Sequence, residues 1–265
     1  MNSIQLEKLT HDVCGLAKAT GVFIKKQLEG DRQLDIQEKG SHDFVTRVDK
    51  LAEQMLVAGL KKLLPDSGFL AEEDTANTSQ KQYMWIVDPL DGTTNYIHAV
   101  PLFSISIALI CSNELIIGVI YEINLEECFY TWKGSPAYMN GKQISTSSLS
   151  NLDHSLFATG FPYYDYSRME PYMKVFDHLM QHSSGLRRLG SAAVDLAYVA
   201  CGRFEGFYEY GLHPWDVAAG ALLVQQAGGK VSDFKGGNDY LYGGEIVATN
   251  DPVHQHLMKI INTFF

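Results

Sequence analysis

A chain of 265 residues with 46% hydrophobic and 20% charged residues has the make-up of a folded globular protein, long enough for one large domain or two closely packed ones. Its formal charge of −10 argues against non-specific binding to nucleic acid or to an anionic membrane surface, since neither gains from an acidic partner. The opening MNSIQLEKLTHDVCG carries charges and no apolar run of signal-peptide length, and nowhere is there an apolar run of about eighteen residues, so the expected location is the cytoplasm. Cys14, Cys111, Cys128 and Cys201 are scattered without paired spacing, which reads as four reduced thiols rather than a zinc site or a disulfide framework.

Ile4, Leu6, Leu9, Val13, Leu16, Ala17, Val22, Phe23 and Leu28 recur near helical spacing, which predicts a long packed helix over Ile4 to Leu28 ended by Gly30. A short strand over Gln33 to Gln37 leads into Lys39-Gly-Ser-His-Asp-Phe-Val-Thr-Arg-Val-Asp49. Asp49 to Leu64 reads as a second helix stopped by Pro65, with Asp49, or Thr46 together with Asp49, capping its free N–H groups. Gly68 to Ala71 is a short strand that delivers Glu72-Glu73-Asp74 at its end, a triplet that by itself is an ordinary solvated loop. Tyr83 to Val87 is apolar with an aromatic and β-branched bias and predicts a buried strand.

Asp88 therefore arrives at a strand end. Pro89 has no N–H, so the ladder is expected to stop there, and Asp91-Gly92 supplies turn chemistry before a helix start at Thr93. On that irregular turn the Leu90 carbonyl is expected to lack a ladder partner, and hard divalent cations take such oxygens together with carboxylates. Gly92, Thr93 and Thr94 would present N–H groups at a helix start, where an anion is favoured. Phe103 to Cys111, Leu115 to Tyr121 and Glu127 to Trp132 then read as an antiparallel meander. Gly134, Asn140-Gly141 and the tract Ser145 to Ser150 mark turns and a seam between two halves.

The second half alternates. Leu156 to Thr159, Arg187 to Leu189, Phe204 to Glu209, Val231 and Ile246 to Thr249 read as strands; Asp165 to Gln181, Ser191 to Ala200, Trp215 to Ala227 and Asp251 to Ile261 read as helices. Interleaved elements without a detachable linker imply layered α and β packing in one unit, 1–265.

Asp88-Pro-Leu-Asp-Gly-Thr-Thr-Asn95 resembles the signature of the inositol monophosphatase family, the magnesium-dependent, lithium-sensitive phosphomonoesterases. Trp215-Asp216, followed by Gly220 and Ala227-Gly228-Gly229, resembles its second signature, in the right order along the chain. The haloacid dehalogenase phosphatases place their two aspartates two apart, the first a covalent nucleophile; here the spacing is three, with proline between, which favours activated water over an aspartyl-phosphate. The resemblance implies a five-layer α-β-α-β-α sandwich of the sugar phosphatase type, with subdomains of approximately 1–150 and 151–265 and the site between them.

It also implies roles. Asp88, Glu72 and the Leu90 carbonyl would hold one Mg2+, Asp88, Asp91 and Asp216 a second, and a third, weaker site would lie near Glu72. Glu72, Thr93 and Asp49 would orient or deprotonate the attacking water, and Lys39 lies near the family's lysine. Asp91, Gly92, Thr93, Thr94, Ala192, Glu209 and Asp216 would contact the substrate. An acidic phosphatase needs such cations, because carboxylates repel phosphate unless metal stands between. The implied reaction is hydrolysis of myo-inositol monophosphate. Relatives with the same core act on fructose 1,6-bisphosphate, 3′-phosphoadenosine 5′-phosphate, histidinol phosphate or NADP, and a reading of another class is a non-catalytic metal or phosphate sensor. Many family members are homodimers, so a homodimer with a small-molecule partner, without nucleic acid or membrane, is expected.

Overall fold

Leu6, Leu9, Val13 and Ala17 of the predicted apolar stripe lie buried along α1 (Ser3–Glu29), whereas Ile4 and Val22 are exposed, in the computed structural model of the chain, which describes residues 1–29, 36–40, 43–75, 81–162 and 165–265, of which 29, 36–40 and 43–45 by backbone alone. The predicted stop at Gly30, the strand start at Gln33 and the side chain of Lys39 lie outside the described residues or side chains. β1 (Ile36–Gly40) and β2 (Asp43–Thr46) form a small antiparallel ribbon, and the sequence had indicated no strand for the second. α2 (Arg47–Leu63) starts on Thr46, whose hydroxyl accepts the Val48 N–H at 3.0 Å while the Asp49 carboxylate accepts the Thr46 N–H at 2.9 Å. This is the capping box that Thr46 with Asp49 predicts.

β3 (Ser67–Ala71) runs parallel to β4 (Tyr83–Asp91), and α3 (Thr93–Ile97) follows. β4 does not stop at Asp88 as expected. Asp88 pairs with Ser106 and Asp91 with Ser104, so three steps on β4 face two on the next strand. Pro89 cannot donate, and one extra residue carries the chain past it as a bulge. β5 (Ser104–Cys111), β6 (Glu114–Glu122) and β7 (Glu127–Trp132) form the predicted meander. β8 (Ala137–Met139) and β9 (Lys142–Ile144), which lie between the predicted turns and were given no element, extend it to a seven-stranded sheet ordered β3-β4-β5-β6-β7-β8-β9. Three-residue strands show no period, and the Asn140-Gly141 turn between them closes a hairpin rather than a loop.

β10 (Leu156–Thr159) opens the second sheet. α4 (Met169–Gln181) begins later than the predicted Asp165, because the Asp165 carboxylate accepts the Ser167 N–H at 2.9 Å and holds the chain in a local turn. β11 (Gly185–Arg187), α5 (Ala192–Ala200), β12 (Gly206–Tyr210), α6 (Pro214–Gln226), β13 (Lys230–Ser232), β14 (Glu245–Thr249) and α7 (Asp251–Phe264) complete it, with sheet order β11-β10-β12-β14-β13. β11 lies earlier than predicted, since Leu186 rather than Leu189 is the residue that pairs with β10.

Three apolar cores separate these elements into layers. One lies between α1, α2 and the seven-stranded sheet, one holds α5 and α6 between the two sheets, and one lies between the five-stranded sheet and α4 and α7. The order is the expected α-β-α-β-α sandwich. The central layer is tight where it matters for the site. A Cβ on Gly118 of β6 would come within 2.7 Å of the Ala219 carbonyl on α6, and one on Gly220 within 2.4 Å of Leu196 Cβ on α5. Gly118→Val is therefore expected to push α6 off the sheet and to lower stability by about 3 kcal/mol, read as a fall in the thermal midpoint. An unchanged midpoint would show that α6 does not need this contact.

Candidate active site

The bulge after Asp88 decides how the signature turn presents its atoms. Asp88, 2% exposed, folds its Oδ1 back to accept the Leu90 N–H at 2.9 Å. Gly92 sits at φ +98°, a left-handed conformation that side chains resist, and serves as the N-cap of α3. Its own site is narrow, for a Cβ there would stand 3.1 Å from the Gly190 carbonyl. Beyond it the Thr93 Oγ1 lies 2.9 Å from Asp49 Oδ1 and 2.9 Å from the Leu90 carbonyl. The Leu90 carbonyl thus has a partner where none was expected, although a carbonyl oxygen keeps a second lone pair. One hydroxyl hydrogen faces two acceptors. Asp49, 1% exposed, is bound by Thr46 at its other oxygen, so the helix cap and the signature turn share one carboxylate.

Glu72, Asp88, Leu90, Asp91, Gly92, Thr93 and Thr94 line one cavity of about 230 Å3 together with Ala192, Glu209 and Asp216. Among the predicted site residues whose side chains are described, Asp49 lies outside its lining and stands behind Thr93. Asp91 comes from the end of β4, and its Oδ2 accepts the Ser191 hydroxyl at 2.6 Å and the Ala193 N–H at 2.7 Å at the start of α5. Asp216, in the first turn of α6, accepts the His213 N–H at 2.6 Å, so its bland role as a capping residue is fulfilled as well.

The charges in this cavity repel one another. Burial, and then the charges of Glu72, Asp91 and Asp216, push Asp88 well above the usual carboxylate range. Burial and Asp91 do the same to Asp216, and enclosure pushes Asp91 up to about 6 against the pull of its Ser191 and Ala193 bonds. Among the described residues no three His, Cys, Asp or Glu side chains already stand as a metal cage. Asp88, Asp91 and Asp216 each turn one oxygen to a backbone N–H and keep the other. The donor set still fits a hard cation. It consists of carboxylate oxygens and one carbonyl, enclosed and mutually repelling, the condition that a divalent ion relieves.

The second half of the chain supplies further lining residues. Glu209 on β12 is 6% exposed and tucked against Gly160, where a Cβ would fall 1.8 Å from its Oε1. Burial pushes it up to about 8, opposed by Arg188 and reinforced by Asp91. A raised value means that the fold keeps a proton which the unfolded chain has lost between pH 4.5 and about 8. Stability from this group is therefore complete below that window and declines as pH rises through it. Thermal unfolding of metal-free protein should show this decline, and Glu209→Gln should make it shallower while the raised Asp88, Asp91, Asp195 and Asp216 keep their share; an equal slope in the variant would remove Glu209 as a contributor.

Arg188, Ser191 and Asp195 also line the cavity. For Asp195 the sequence offered nothing. Asp195 is 1% exposed with Oδ1 free of any hydrogen-bond partner, and burial followed by Glu209 and Asp91 drives it well above the usual range. An Asp in a helix first turn is so common that no sequence signal marks it.

Residues 5–263 match the inositol monophosphatase family. The chain belongs to that family. An inositol-1-monophosphatase of Mesorhizobium japonicum is 42% identical over 246 residues, 92% of this chain and 92% of its own length. The Nus factor SuhB of Pseudomonas aeruginosa is 40% identical over 250 residues, again 92% of each. Among solved structures, the extragenic suppressor protein suhB of Bartonella henselae superposes with a TM-score of 0.92 at 36% identity, covering 96% of this chain and 98% of that one. As an inositol monophosphatase family member the protein is a phosphomonoesterase, and members of this family generally use Mg2+. Among the described residues no helix is long and apolar enough to cross a membrane.

Proposed function

We propose that this phosphomonoesterase hydrolyses myo-inositol monophosphates to myo-inositol and phosphate in the cytoplasm, as a homodimer. The observation that carries the reading is the meeting of Glu72, Asp88, Asp91 and Asp216, from three distant stretches, on one cavity that Glu209 also lines. In this reading Glu72, Asp88 and the Leu90 carbonyl hold one Mg2+, Asp88, Asp91 and Asp216 a second, and Glu72 faces a third, weaker site. When bound, the ions supply charge neutralisation of the phosphate and a lowered pKa for the attacking water. Residues 1–150 then supply the metal and phosphate signatures, and 151–265 the alcohol side together with Asp216.

The chain's own groups do the rest. When Asp49 is ionised it can take the Thr93 hydroxyl hydrogen as the Thr93 oxygen takes a proton from water, so that the proton ends on Asp49, with Glu72 orienting that water. The N–H groups of Gly92, Thr93 and Thr94 start a helix and have no intrahelical acceptor, so they receive phosphate oxygens. Glu209 and Asp216 accept hydrogen bonds from the hydroxyls of the leaving alcohol, and the Ala192 backbone at the start of α5 contacts the same alcohol. No covalent phosphoenzyme forms.

A panel of phosphate esters with Mg2+ tests this reading. The highest kcat/KM is expected for myo-inositol monophosphates, with loss of turnover in EDTA and inhibition by lithium. A clear preference for fructose 1,6-bisphosphate, 3′-phosphoadenosine 5′-phosphate, histidinol phosphate or NADP would reassign the alcohol, and phosphate release from none of them would overturn the reading. The relatives named as Nus factors favour a second reading, an interaction role beside turnover. The charge of −10 makes a protein the better partner for it than a nucleic acid. Asp91→Asn would separate the two, abolishing turnover while leaving such an interaction intact.

A further inference from the structure

Glu53 stands in the middle of α2 with no exposed surface, and both of its carboxylate oxygens face the loop after β3. Oε2 accepts the Glu73 N–H at 2.7 Å, and Oε1 accepts the Thr75 N–H at 2.7 Å and the Thr75 hydroxyl at 2.6 Å. A carboxylate in a helix facing a core is costly to bury, and an apolar side chain would fill the same place at less cost. Its bonds go to one place. Glu73 directly follows Glu72, whose own N–H donates to the Val87 carbonyl at 3.2 Å, one residue before Asp88. Glu72 is thereby fixed from two sides, on β4 beside Asp88 and on α2 through its neighbour.

The same helix face does this twice. Asp49 lies four residues before Glu53, one helical turn away, and grips the turn after β4 through Thr93 as Glu53 grips the loop after β3. α2 therefore ties together the two loops that carry Glu72 and the signature aspartates.

We propose that Glu53 is a positioning residue for metal binding: by clamping Glu73 and Thr75 it holds the Glu72 carboxylate at the distance from Asp88 that a shared cation requires. The inference rests on the reading of Glu72 as a metal ligand. A free loop would let Glu72 swing away from the repelling Asp88, and the ion would have to restore the approach on binding.

Titration of metal-free protein with Mg2+ by calorimetry tests the proposal without reference to turnover. Glu53→Gln leaves an NH2 group against an N–H donor, and its Mg2+ dissociation constant should rise by about tenfold or more, the range for groups that orient metal ligands. Thr75→Val removes only the hydroxyl arm and should raise it by about threefold. Activity of Glu53→Gln should return at high Mg2+ with substrate KM little changed. Val253→Ala, a buried truncation on α7 far from the site, serves as a control for lost stability and should leave the constant unchanged. Wild-type affinity in both clamp variants would overturn the proposal, as would a weakening no larger than that of Val253→Ala at equal loss of thermal midpoint. If Glu53→Gln does not fold, Thr75→Val decides alone. No Mg2+ binding by the wild-type protein would instead overturn the metal reading of the site itself.

Discussion

Asp91→Asn is expected to abolish Mg2+-dependent phosphate release, with a loss in kcat/KM on the order of 10³-fold or more, while the protein remains folded. The aspartate uses one oxygen to accept the Ser191 hydroxyl and the Ala193 N–H, at 2.6 and 2.7 Å. An asparagine carbonyl can keep both bonds, so the joint between β4 and α5 survives. Its NH2 group then faces the cavity, where it repels a cation instead of binding one. Metal-free stability at neutral pH should not fall and is expected to rise slightly, because the change deletes a charge that Asp88 and Asp216 both feel. Phosphate release, Mg2+ titration and thermal unfolding on one preparation check the prediction. Wild-type turnover in the variant would remove Asp91 from the site.

Thr93→Val is expected to lower kcat by about 10²- to 10³-fold with KM little changed. Valine has nearly the shape of threonine, so the helix start should persist. What disappears is the hydroxyl that lies 2.9 Å from both Asp49 Oδ1 and the Leu90 carbonyl. Asp49, already raised above the usual carboxylate range by burial and lowered again by its Thr46 and Thr93 bonds, loses one of the groups that favour its ionised form. It should then hold its proton to higher pH, and the variant should lose about 1 to 2 kcal/mol of stability at neutral pH. Thr93→Ser should restore most of the rate. A defect confined to KM would mean that the hydroxyl holds bound substrate rather than orienting water.

The same residues mark where reading the sequence succeeds and where it ends. The helices α1, α2, α6 and α7, the Thr46–Asp49 cap and the turn at Asp91-Gly92 were all legible. The bulge past Pro89 was not. A proline forbids one bond of the ladder, but whether the strand stops or resumes depends on whether the neighbour continues, and Ser104 is there to pair with Asp91. Likewise the Leu90 carbonyl found a donor in Thr93, three residues on, by a fold of the turn that its composition does not fix.

The sequence by itself determined the two signatures, their acidic side chains and the alternation of elements that demands layers, because hydrogen-bonding capacity and apolar period are set within a few residues. Only the tertiary structure decided that Asp91 would lean on Ser191, that Glu209 would fill the space left by Gly160, that Asp195 would enter the cavity and that Glu53 would hold the loop of Glu72. These contacts join residues distant in the chain, and their distances follow from how closely the layers pack, as across Gly118 and Gly220, which no local pattern records.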